Sequence, residues 1–129
     1  MPVSLLPDPE TLMVAALKAQ PSVTAIVAAR IGTRIPDVPT FPLIRVTHIA
    51  GGPDTLASEF VVIQIECWAD DDATASLLAR TIVACHTDMR NVSAAGWLAL
   101  TDPVSLIPMP DPVSERFRYI IDLDVEMGY

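Results

Sequence analysis

A regular row of potentially reactive side chains lies near the end of the chain. Asp122, Asp124 and Glu126 alternate with Ile121, Leu123 and Val125. In an extended segment all three carboxylates leave from one face, successive members roughly 7 Å apart. Three uses fit that row besides a merely solvated sheet face. Paired carboxylates could exchange protons, or oxygen ligands could hold a divalent cation. A repeated acidic strand could also line a channel in an oligomer, where each copy adds to the field at the wall. Glu59, Glu66 and the run Asp70 to Asp72 form an alternative acidic wall.

Other constellations fail on spacing. The candidate metal ligands are His48, His86, Cys67 and Cys85, and no CxxC, HxxxH or HExxH pattern joins them. Cys85 and His86 are neighbours on a helical pattern, so they point about 100° apart. A thiol nucleophile needs an imidazole within reach and a lowered pKa, and nothing marks either cysteine as activated. None of the serines sits in a GxSxG turn. Neither GxGxxG nor a P-loop occurs, and Gly51-Gly52 runs into Pro53 rather than into a helix. The expectation is no catalytic residue, no metal ligand, no cofactor and no enzymatic activity.

Charge narrows the partners. Eight Lys and Arg against 16 Asp and Glu leave a net charge of −8. Tight sequence-independent nucleic-acid binding needs clustered cations, so wrapping DNA or adhering to an anionic membrane is disfavoured. Passing DNA without holding it is compatible with this balance. Hydrophobic residues make up 51% of 129 residues, enough for one core and a single domain over 1–129. No apolar run approaches the roughly 20 residues of a membrane span. Met1 to Leu6 lacks the positive region of a signal peptide. Both cysteines fall in apolar patterns and read as reduced, buried thiols.

The elements that must position these residues follow from local signals. Asp8-Pro9-Glu10 opens a helix with a cap, a proline at the first helical position and early negative charge. Leu12, Met13, Ala16 and Leu17 form its apolar stripe, and Pro21 ends it. A short second helix carries Val23, Ile26 and Val27 and is expected to stop at Gly32. Proline-rich 35–42 is extended or looped. Leu43 to Ile49 reads as a strand, Gly51 to Asp54 as a turn or a longer flexible loop, and Glu59 to Trp68 as a second strand. Asp70 to Asp72 caps a long helix with the stripe Leu77, Leu78, Ile82, Cys85 and Met89, Arg90 near its end and a stop at Asn91. Trp97 to Ile107 is a strand interrupted near Asp102-Pro103, Pro108 to Pro112 a rigid connector, and Phe117 to Met127 a strongly alternating last strand.

This order predicts an α+β fold: an antiparallel sheet of about four strands in two hairpins, with two N-terminal helices and one long central helix packed on it. On the strand 59–68, Phe60, Val62 and Trp68 share the face opposite Val61, Ile63 and Ile65. If helices cover one face only, this second apolar set needs a partner. It is therefore the candidate subunit interface. Trp97 is expected as a core or interface anchor.

The whole pattern resembles the tail terminator (tail-completion) proteins of long-tailed bacteriophages and the related neck proteins. The residues that carry it are the first helix with Gln20-Pro21-Ser22-Val23 to Ile31, and the proline-rich stretch ending Phe41-Pro42-Leu43-Ile44-Arg45-Val46. They continue with Phe60 to Ala69 leading directly into Ala75-Ser76-Leu77-Leu78-Ala79-Arg80, and with the closing strand Arg116 to Val125. The resemblance implies a homo-oligomeric ring, hexameric in that family. Such a ring caps the tail tube, ends its growth and docks the head–tail connector protein, while genomic DNA passes through the lumen. It implies the tail tube protein as a partner, residence at the neck of the virion after assembly in the bacterial cytoplasm, and no chemistry. Asp122, Asp124, Glu126 and Glu66 are then the candidate lumen-facing acids. Another neck or head–tail connector protein, or an interaction module outside any virus, is the alternative.

Overall fold

A computed structural model describes residues 8–53, 58–86, 89, 91–93, 96–112 and 116–128. Asp54, Thr87, Arg90, and the side chains of Glu59 and Trp97, lie outside what is described. Helix α1 spans Pro9–Lys18. Asp8 caps it by accepting from the Glu10 N–H at 3.1 Å and the Thr11 hydroxyl at 2.9 Å, an arrangement worth roughly 1 kcal/mol. Leu12, Met13, Ala16 and Leu17 are all buried.

Helix α2 spans Pro21–Val27 and stops five residues before the expected Gly32. The stop is a tight turn. The Arg30 N–H donates to Val27 O at 3.0 Å, and Ala28 takes φ 54°, ψ −125°. Those angles match the first central position of a type II′ turn, normally glycine. The turn frees Ile31–Gly32 to form a short strand, β1, parallel to β2 (Leu43–Pro53) with Ile31 beside Ile44.

Strand β3 (Ser58–Ala69) pairs antiparallel with β2 and with β6 (Phe117–Gly128). Strand β6 pairs in turn with β5 (Gly96–Pro108), and β5 with β4 (Asn91–Ser93). The sheet order is β1-β2-β3-β6-β5-β4. The four long strands form the two expected hairpins, joined along β3 and β6, and two short strands raise the count to six. Register shifts in β5 flank Pro103, which cannot donate to the ladder. Strand β2 runs through the expected turn at Gly51-Gly52. Gly51 has φ +97°, and a Cβ there would fall 2.2 Å from Phe60 O. Glycine lets the backbone approach where another residue would break the strand.

Strand β2 shifts register between His48 and Ala50. The Ile44 N–H points to the outer side of β2, where it meets Arg30 O. His48 shares that parity, and its N–H donates to the Glu10 carboxylate of α1 at 2.9 Å.

Helix α3 spans Asp72–Cys85 and is capped by Asp71, which accepts from the Thr74 N–H at 2.7 Å and its hydroxyl at 3.0 Å. It ends at His86, not at Asn91, which begins β4. Leu77 is 47% exposed and does not belong to the buried stripe, which is Ala75, Leu78, Ala79, Ile82 and Cys85. The alanines let the helix approach the sheet, and Met89 adds to the core from beyond the helix. All three helices contribute to one cluster with Ile44, Val46, Val61, Ile63, Ile65, Ile121, Leu123, Val125 and Met127. The helices therefore cover one sheet face.

Candidate functional site

The other sheet face carries the apolar trio Phe60, Val62 and Trp68 and the acids Glu66, Asp122, Asp124 and Glu126. In the register of β3 and β6, Phe60 stands opposite Glu126, Val62 opposite Asp124, Gln64 opposite Asp122, Glu66 opposite Ile120 and Trp68 opposite Arg118. The acidic row and the apolar trio, inferred from separate strands, thus interleave on a single surface. Its two ends differ in kind.

One end is closed within the chain. Glu66 is 2% exposed. The Arg45 guanidinium pairs with its Oε2 through Nε, and Arg118 Nη1 donates to its Oε1 at 3.2 Å. Arg118 Nε also donates to Met109 O at 3.0 Å, and its guanidinium lies 5.2 Å from the centroid of the Trp68 ring. Trp68 itself is 6% exposed. Glu66 is therefore neutralised by two cations, and Trp68 is roofed by one of them. Burial pushes the Cys67 thiol well above its usual range, and the neighbouring Glu66 charge adds to the shift. A thiol held in that state is no nucleophile. Both Cys67 and Cys85 are buried thiols.

The connector after β5 extends the hairpin: the Met109 N–H donates to Arg118 O at 2.8 Å and the Asp111 N–H to Arg116 O at 3.1 Å. Arg116 pairs with Asp70 at 2.6 Å and stacks 4.3 Å above the Phe41 ring. The Tyr119 hydroxyl donates to Asp72 at 3.3 Å. Asp70 and Asp72 thereby fix the start of α3 against the β6 segment, while Asp71 caps the helix itself. The Asp71 carboxyl is held below the usual carboxylate range by the backbone N–H of Thr74 and then by its hydroxyl.

The other end is open. Phe60 is 45% exposed, Asp124 is exposed, and Val62, Asp122 and Glu126 are half-buried. Phe60, Val61, Val62 and Asp124 line a cleft of about 330 Å³. The Asp122 Oδ1 atom is buried, and among the described residues no donor reaches it. Among the described residues no three His, Cys, Asp or Glu side chains gather as metal ligands. The three carboxylates of β6 stand in a row instead of converging. What this surface offers is an apolar cleft bordered by negative charge.

Sequence reasoning missed the roles of Arg45 and Arg118. The available signal was charges of opposite sign within three β patterns (Arg45, Glu66 and Arg118) on faces that pairing would bring together.

A model of the family described as Tail completion protein gp17 matches residues 11–97, most of α1 through the first residues of β5. A comparison with curated proteins gives no match. Among solved structures, a chain of the virion of native gene transfer agent (GTA) particle superposes with a TM-score of 0.68 at 16% identity. The match covers 94% of this chain and 95% of that chain. At that identity the likeness is one of fold.

Proposed function

The chain belongs to the tail completion protein gp17 family of structural tail proteins, and on that premise we propose that it forms a ring, hexameric by the sequence resemblance, on the end of a phage tail tube. The ring ends tube growth, docks the head–tail connector protein and lets genomic DNA pass through its lumen. The chain acts as one domain over 1–129, resides at the neck of the virion and assembles in the bacterial cytoplasm. The observation that carries this reading is the open end of the uncovered sheet face, where an exposed aromatic and an apolar cleft stand beside carboxylates.

The roles divide along that face. Phe60, Val62 and Asp124 line the cleft that takes a neighbouring copy, and Asp122 and Glu126 beside them carry negative charge towards the passing DNA. Glu66 adds no net negative charge to a lumen wall, because two arginines neutralise it. With Trp68 it holds β2, β3 and β6 in fixed relation behind the contact. Repulsion between an acidic lumen and phosphate favours passage over retention. The described residues contain no helix long and apolar enough to cross a membrane.

Size-exclusion chromatography with light scattering, followed by negative-stain imaging with and without tail tubes, tests the reading. Rings that bind tube ends are expected. A strictly monomeric protein at high concentration, leaving tube ends bare and growing, would refute it.

A further inference from the structure

We propose that the cleft around Phe60 and Asp124 receives the Arg34–Val38 loop of a second copy of this chain, a head-to-tail contact that rests on the ring reading above. The partner surface is found by charge and exposure. A chain with eight Lys and Arg against 16 Asp and Glu must place its cations carefully when copies meet. Most of the described arginines are engaged. Arg45 and Arg118 hold Glu66, Arg116 holds Asp70, Arg30 donates to Pro42 O, and Arg80 donates to Ser76. Among the described residues, no hydrogen bond or ion pair engages Arg34.

Arg34 sits in the loop that leads to Val38, and Val38 is 89% exposed, the highest value among the exposed large hydrophobics. Pro36 and Pro39 flank that valine, so the loop loses little freedom on docking. A cation with an exposed apolar knob is the complement of an apolar cleft bordered by carboxylates.

The two surfaces cannot meet within one chain. The loop leads into Leu43, with which Arg34 and Val38 line a second cavity of about 340 Å³. The cleft lies beside Gly52, which pairs with Phe60 at the far end of the same strand. Nine residues of strand separate these ends by about 30 Å. A contact between two different patches is heterologous, and repetition of such a contact closes a ring when the rotation between copies allows it.

The test uses reciprocal charge reversal. Arg34→Glu places two acids face to face at every contact, and Asp124→Arg places two arginines there. Each variant alone should need on the order of tenfold more protein to assemble. In an equimolar mixture every contact pairs opposite charges again, so alternating rings should form. That rescue also shows that both variants are folded. Asp37→Asn, which removes the loop's own carboxylate, should tighten assembly. If the wild type forms rings and either single variant assembles equally well, the contact is wrong while the ring stands. If both variants fail and the mixture fails too, the contact is likewise overturned. A wild type that never assembles overturns the ring reading, and this contact with it.

Discussion

Replacing Glu66 with Gln probes the closed end of the open face most directly. The wild-type carboxylate is 2% exposed and meets Arg45 on one oxygen and Arg118 on the other. Glutamine keeps the shape but leaves two guanidinium groups facing one another across a neutral amide. Breaking a buried pair by removing one partner costs about 3–5 kcal/mol. Here the cost is discounted, because the Arg45 side chain is 36% exposed and keeps part of its hydration. The Arg118 side chain, 13% exposed, retains its bond to Met109 O and its contact with Trp68. The expected loss is therefore about 2–3 kcal/mol, or a fall in melting temperature of roughly 6–12 °C for a chain of this length. Urea unfolding and calorimetry measure both quantities. The same cluster replaced as a unit, with Arg45→Met, Glu66→Leu and Arg118→Met, should recover most of the loss, since an apolar set needs no neutralisation. A Glu66→Gln protein melting within about 2 °C of the parent would refute the claim that this carboxylate holds the two arginines in place.

Three further outcomes follow from the backbone and the caps. Ala28→Gly should stabilise the protein by about 1 kcal/mol, because glycine occupies the positive-φ turn position without strain; an unchanged urea midpoint would contradict this. Gly51→Ala should destabilise by more than about 3 kcal/mol, since its Cβ would meet Phe60 O and its φ is positive; a folded variant of parental stability by hydrogen exchange would contradict it. The folded Asp71 carboxyl lies below its ordinary value. Its contribution is therefore complete above the usual carboxylate range and is lost as pH falls through the lower folded value. The stability gap between the wild type and Asp71→Ala should shrink in that acid window and stay constant around neutrality, as read by urea titrations across pH.

The parts of the fold legible in the sequence are those with short-range causes. Asp8-Pro9-Glu10 and Asp71 start their helices as expected, because a cap acts on donors two or three residues away. The alternation in β3 and β6 named the buried face correctly for the same reason. Long-range causes were not legible. Ala28 turns sharply because β1 must reach β2, and no local signal marks an alanine for positive φ. Gly51 and Gly52 read as a turn, yet the approach of Phe60 uses the missing side chain at Gly51 inside a strand. The three residues of β4 are too few to show a period. At the site, the acids and the apolar residues could each be named, but their interleaving depends on the β3–β6 register, a pairing between segments some 60 positions apart.

The bond from the His48 N–H to Glu10 bears on how the chain keeps itself from sticking to others. A strand at the border of a sheet is a template for unlimited addition of foreign strands, the route to fibres and amorphous aggregates. On β2 that template is occupied at Ile44 by β1 and at His48 by the carboxylate of a neighbouring helix. An incoming backbone carbonyl would meet a negative charge where it needs a donor. The helix that closes the core thus also guards this stretch of the sheet border against strand addition.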